Sequence, residues 1–203
     1  MLDRIVPVDP GDEALIQGCS QVLRQVGKII YDVPFTVFMA RKGVMWAGLN
    51  RVDAVVGVLA TDTWGPWDTR EWNYHMTPDK QILSDPPALH MLDLAVVPDS
   101  RHRGFATRLI RKAMNAVFYD DGGHFNRVLA VSRVPVGEGA DTSLGLLLRL
   151  GFVELANVAN YYGTADLWRC PDCSSQGPCR CSGQLESLGI EFEEKPATSH
   201  VSD

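Results

Sequence analysis

The stretch of this 203-residue chain whose residue types and order most directly suggest chemistry is Arg101-His102-Arg103-Gly104-Phe105-Ala106-Thr107. A mostly apolar run, residues 89–97, leads into it. A strongly amphipathic stretch from about 104 to 118 follows, with Phe105, Ala106, Leu109, Ile110, Ala113, Met114, Val117 and Phe118 as its apolar set. That order predicts a buried strand, a short turn and a glycine-containing helix start. The first N–H groups of a helix are unpaired and its dipole is positive there, so such a turn binds phosphate oxygens. Gly104 and the small Ala106 let a bulky anion approach the backbone, and Arg101, His102 and Arg103 supply positive charge. Arginine at a helix start works against the dipole. A merely solvated helix terminus therefore leaves this placement unexplained, whereas a bound pyrophosphate accounts for it.

A second cluster lies near the C-terminus. Cys170, Cys173, Cys179 and Cys181 fall within twelve residues, while Cys19 stands alone in an expected helix. Such crowding in a reducing compartment reads as metal binding rather than disulfides. A Cys-x-x-Cys half is a common zinc element and four thiolates suit tetrahedral Zn2+, although the Cys-x-Cys half is less standard. Gly177 and Pro178 allow the reversal, and a closed site would be structural. A tail of free thiols and an iron–sulfur cluster are the alternatives.

Composition bounds what these residues can serve. A hydrophobic fraction of 45% with 22% charged residues is that of a soluble globular protein with room for one core plus a tail. The net charge of −6 disfavours a nucleic-acid partner. It hints at a cationic substrate, and equally at plain solubility. No apolar run reaches the length of a membrane span and no signal-peptide core is present, so no membrane partner and a cytoplasmic location are expected.

The elements that must position the loop can be read along the chain. Residues 3–8 predict a strand. Asp12 offers an N-cap to a helix with Leu15, Ile16, Cys19, Val22, Leu23 and Val26 on one stripe. A helix or loop over roughly 34–42 precedes a hairpin of two runs, 44–50 and 53–63. Residues 64–88, holding Trp64, Trp67, Trp72, Tyr74 and His75, exceed an ordinary connection and suit an acceptor-site lid or a homodimer contact. After the loop come a strand at 127–134 and a leucine-rich helix at 142–150 closed by Gly151. Final strands are expected at Phe152–Glu154 and about 158–168, and a disordered tail from about 190. Strands alternating with helices imply a mixed sheet with helices on its faces.

The segment Val96-Val-Pro98-Asp-Ser-Arg101-His-Arg-Gly104-Phe-Ala106 resembles the acetyl-CoA loop of the GNAT superfamily of N-acetyltransferases, Val-x-Pro-x-x-Arg/Gln-x-x-Gly-x-Gly/Ala, at every specified position. Leu150-Gly151-Phe152 matches the family's second landmark, and the order of elements from 3 to 168 fits, about four fifths of the chain. The resemblance implies an α/β (α+β) domain over 1–168 with a mixed, mostly antiparallel sheet, helices on both faces and a splayed cleft for acetyl-CoA. The cysteine loop would occupy 169–183 and the tail 190–203. It further implies an enzyme that transfers an acetyl group from acetyl-CoA to a primary amine by direct attack. Coenzyme contacts would come from Leu94, Ala95, Val96 and the run from Arg101 to Thr107, with an N–H near Val96 polarising the thioester carbonyl.

The resemblance leaves acid and base less defined. The family often places a glutamate in the strand before the loop; here the candidates are His90 and Asp93. Strand alternation is expected to put His90, Leu92, Leu94 and Val96 on one face and Asp93 on the other. His90 has an ordinary pKa suited to base work near neutrality. The family's usual proton-donating tyrosine falls at Leu147, which leaves Tyr161, Tyr162, Ser143 or water. That departure also sustains a rival, a non-catalytic coenzyme A-binding or partner-binding module. The amine acceptor is not named by the sequence.

Overall fold

Asp12 does cap the first helix: its side chain accepts the Leu15 N–H at 2.9 Å. The cap follows strand β1 (Leu2–Pro7) and opens helix α1 (Glu13–Gln25). Helix α2 (Val33–Lys42) and the hairpin of β2 (Val44–Asn50) and β3 (Val55–Trp64) come next. Strand β4 (Ala88–Val96), a 3-10 turn at Pro98–Ser100 and helix α3 (Phe105–Asn115) form the central unit. Strand β5 (Arg127–Val134), helix α4 (Ser143–Arg149), β6 (Val153–Val158) and β7 (Ser182–Gly189) complete the order. The computed structural model describes residues 2–26, 32–42, 44–64, 88–116, 125, 127–134, 143–159, 161 and 180–189. The rest of the Trp-rich segment, Tyr162, Cys170, Cys173, Cys179 and the tail lie outside the described residues.

The strands make one seven-stranded sheet in the order β1-β2-β3-β4-β5-β7-β6. Every pairing is antiparallel except β4 with β5. The expected mixed, mostly antiparallel sheet is therefore present, and helices cover both faces. On one face Ile16, Cys19, Val22 and Leu23 of α1 and Met39 of α2 pack on Met45, Ala47, Leu49, Val58, Ala60 and Ala95. On the other, Leu109, Ile110 and Ala113 of α3 and Leu147 of α4 pack on Trp46, Leu59, Leu89, Met91, Val128 and Ala130. Full burial of each large aliphatic contributes about 1.5–3 kcal/mol against the cost of ordering the chain. Gly151 ends α4 as expected, with φ at 91° and the Phe152 N–H reaching the Leu147 carbonyl at 3.1 Å. Among the described residues no helix is long and apolar enough to cross a membrane.

Two expectations need correction. The sequence reading closes the domain at residue 168, yet the sheet takes β7 from Ser182–Gly189 and inserts it between β5 and β6. Ser-Gly-Gln-Leu-Glu-Ser-Leu-Gly carries only two large apolar residues, so hydrophobic patterning gave no signal; the strand is held by two full ladders and by Leu185, which is fully buried. The second correction concerns β4. Its register with β3 shifts between Ala60 and Thr61, which pair with Asp93 and Met91, leaving Leu92 as an extra residue. A bulge of this kind flips the alternation. Leu92 joins the α1/α2 face and Leu94 the α3/α4 face, so they do not share one.

Because β7 is an internal strand, Leu185→Ala is expected to lower the unfolding free energy by about 2–5 kcal/mol in chemical denaturation. A loss under about 0.5 kcal/mol would show β7 to be peripheral.

Candidate active site

Strand β4 pairs with β5 at only three positions, Leu89 with Val128, His90 with Leu129 and Met91 with Ala130. Beyond that rung both strands continue, to Val96 and Val134, without pairing to each other. A fork opens there in the middle of the sheet. The Val97 N–H donates to the Val56 carbonyl at 3.0 Å, toward β3. Backbone direction alternates along a strand, so the N–H and C=O of Leu94 and Val96 face the fork.

The loop after β4 leads into an uncapped helix start, a geometry that can receive an anion. Val97 leads into the 3-10 turn, His102 and Gly104 take left-handed φ values of 57° and 73°, and α3 starts at Phe105. Gly104 is the N-cap and no side chain caps the helix, which leaves its first N–H groups turned to the outside. Among the described residues nothing stands within 4 Å of where a Cβ on Gly104 would project, so the glycine answers to its φ rather than to a close neighbour. An open cavity of about 810 Å³ lies here, lined by Arg51, Arg103, Gly104, Phe105, Thr107 and Arg108. Arg108 sits over the Phe105 ring at 5.1 Å, which orients its guanidinium. Arg101 behaves differently: its Nε donates to the Val96 carbonyl at 3.1 Å, tying the loop to the tip of the fork.

The candidate acid and base residues distribute around the same fork. His90 is half-buried and in register with Asp62 of β3, on the α1/α2 face. Asp62 in turn binds Lys42 Nζ at 2.7 Å, so a carboxylate held by a cation stands opposite the imidazole. Asp93 lies at the bulge, half-buried, with Oδ1 cut off from solvent. Tyr161 packs with Leu129, Val131 and Leu185, its ring lying on Gly183 so closely that a Cβ there would come within 2.6 Å. Leu129 pairs with His90, which places Tyr161 and His90 on one face of the sheet. Leu147 is buried in the α3/α4 cluster, and Ser143 stands at the start of α4. Of the four clustered cysteines only Cys181 is described; it is fully buried just before β7. Among the described residues no group of three or more His, Cys, Asp or Glu could hold a metal ion.

No family model matches the sequence, and no curated relative matches it. Solved structures do. NAA60 of Arabidopsis thaliana, determined in complex with acetyl-CoA, superposes with a TM-score of 0.63 over 92% of this chain and 98% of that one, at 16% identity. Naa20 of Chaetomium thermophilum, in complex with a bisubstrate analogue, gives 0.64 over 93% and 87%, at 15% identity. The aminoglycoside 6'-N-acetyltransferase of Enterococcus faecium gives 0.63 over 94% and 98%, at 12% identity. The fold is the GNAT acetyltransferase fold.

Within this GNAT fold the structure adds two residues that the sequence reading missed. Arg51 comes from the β2–β3 turn, far in sequence from the loop it joins. The turn is bonded within itself and to β1: Asn50 Oδ1 accepts the Val52 and Ala54 N–H groups at 3.0 Å, and Arg4 pairs with Asp53 at 2.7 Å. No sequence signal marks this arginine. The second is Glu186, fully buried on β7 opposite Ala130 and Glu154. Burial raises its pKa to about 7, opposed by Ser132, whose hydroxyl and backbone favour the carboxylate, and reinforced by the charge of Glu154. Among the described residues neither Oε has a hydrogen-bond partner of full geometry. Gln184 Nε2 instead donates to Glu154 Oε2 at 3.1 Å.

The sign of the resulting pH effect follows from linkage. The native state holds its Glu186 proton up to about pH 7, whereas the unfolded chain releases it near 4.5. The stability due to this group is full below pH 4.5 and is lost as the pH rises to about 7. Denaturation at pH 4.5 to 8 is expected to show a loss on the order of 3 kcal/mol. Glu186→Gln should remove most of that slope; an unchanged slope would contradict the assignment.

Proposed function

We propose that the protein is an acetyl-CoA-dependent N-acetyltransferase that moves an acetyl group to a primary amine by direct attack. The observation that carries this reading is the parting of β4 from β5 after three rungs, beside an uncapped helix start ringed by Arg51, Arg103 and Arg108. The pyrophosphate takes the first N–H groups of α3, where charge-assisted bonds are strongest. The pantetheine arm enters the fork and uses the backbone of Leu94 and Val96 as a missing strand would. The Val96 N–H then polarises the thioester carbonyl, a donation worth roughly 3 kcal/mol in tested oxyanion holes.

His90 serves as base for the attacking ammonium, oriented by Asp62 across the strand pair; Asp93 supports the bulge. The three similar structures contain an acetyl-CoA complex, a bisubstrate complex and an aminoglycoside enzyme, all consistent with an amine acceptor. The cluster of Cys170, Cys173, Cys179 and Cys181 is proposed as a structural zinc site in a reducing compartment such as the cytosol, a reading supported by spacing alone. Metal analysis of purified protein is expected to give about one zinc per chain by the four-thiolate stoichiometry, and a metal-free, fully folded chain would overturn it. The rival reading, a coenzyme-binding module without turnover, is favoured by Leu147 at the usual tyrosine position.

Calorimetric titration with acetyl-CoA is expected to show binding that Arg101→Ala, Gly104→Glu together weaken by about 100-fold, near 2.7 kcal/mol. Turnover of acetyl-CoA with a panel of amines then separates enzyme from binding module. A well-folded wild type that binds no acetyl-CoA would overturn both.

A further inference from the structure

A departing thiolate needs a proton, and the side chain at 147 cannot give one. Leu147 is an aliphatic residue buried among Met91, Ala130 and Phe152. On the same face of the sheet, one strand over, stands Glu186. It pairs with Ala130, the last β5 residue joined to β4, and so sits level with the branching point of the fork. Ser132 follows two residues along β5 on that face, beyond the branching point, and is fully buried. Its Oγ lies 3.1 Å from Ser143 Oγ at the start of α4. Burial raises the Glu186 carboxyl pKa, and Ser132 works against that rise.

A fully buried acid beside a linked pair of hydroxyls is costly as scaffolding. Carboxyl groups are seldom fully buried without a full set of hydrogen bonds. We propose that Glu186, Ser132 and Ser143 form a relay that delivers a proton to the departing coenzyme A thiolate. The inference rests on the acetyltransferase reading above.

The amine nitrogen attacks the thioester carbon, the C–N bond forms, the C–S bond breaks and its electron pair passes to sulfur. Sulfur takes the Ser143 hydroxyl proton, Ser143 takes that of Ser132, and Ser132 takes the Glu186 carboxyl proton. The amine proton leaves through His90 to solvent, and Glu186 regains its proton from solvent after product release. An acid of pKa about 7 donating to a thiolate whose conjugate thiol has a pKa of about 8.5 transfers downhill. Among the described residues the charged group facing Glu186 from β6 is Glu154. Strand β5 presents Ala130 and Ser132, and α4 presents Ser143 and Leu147, its Arg149 being exposed.

The test is the pH dependence of kcat between pH 6 and 9.5 for wild type, Glu186→Gln, Ser132→Ala and Glu154→Gln, with acetyl-CoA affinity and unfolding measured alongside. Wild-type kcat is expected to fall above a pKa near 7. Glu186→Gln should bind acetyl-CoA normally, lose that descending limb and lose about 100-fold in kcat at pH 6.5. Ser132→Ala should lose the same limb, and it decides the matter if Glu186→Gln fails to fold. Glu154→Gln should keep kcat and move the limb to lower pH, a shift that a merely structural role would not produce. A folded Glu186→Gln enzyme with the wild-type pH profile would overturn the relay alone. A wild type without acetyl-CoA binding would overturn the acetyltransferase reading and the relay with it.

Discussion

Everything distinctive in this molecule depends on two strands that pair for three rungs and then separate. A central pair in a sheet normally continues its ladder, because unpaired backbone groups away from water cost free energy. Here β4 and β5 stop at Met91 and Ala130, and both run on. They are also the one parallel pair of the sheet, a geometry that needs a crossover and places α3 directly after β4. The backbone left open by the fork and the N–H groups left open at the start of α3 lie at the two ends of the loop that joins β4 to α3. The proposed coenzyme, with an anionic middle and an amide-bearing arm, would satisfy both.

The surroundings of the fork divide the labour by polarity. At the open end, arginines from the β2–β3 turn and from α3 line the cavity, beside the contacts made by Asn50, Asp53 and Phe105. On the α1/α2 face His90 faces Asp62 across a strand pair, with Tyr161 beyond Leu129. On the α3/α4 face, polar side chains run from Ser143 through Ser132 to Glu186, Gln184 and Glu154. Titratable side chains thus stand on both faces of the sheet beside the fork.

Much of this was legible in the sequence, for local reasons. The helix cap at Asp12, the hairpin, the glycine stop at Gly151 and the strand–turn–helix at 89–107 each depend on residues close together in the chain. What was hidden is long-range. The bulge at Leu92 is imposed by pairing with β3 and leaves no mark in the β4 sequence. Strand β7 has only Leu185 and Leu188 as large apolar residues and is placed by its ladders to β5 and β6, so patterning passed over it. Arg51 and Glu186 become informative only once the fold carries them to the loop and to the fork.

The claim that the fork receives the coenzyme arm as a surrogate strand can be tested at single backbone sites. Amide hydrogen exchange resolved by residue, with and without acetyl-CoA, reads it most directly. Protection of the Val96 N–H should rise on binding, while the Ala95 N–H, which already faces β3, should change little. Binding that leaves Val96 exchange unaltered would contradict the account, because the arm would then lie somewhere other than between β4 and β5.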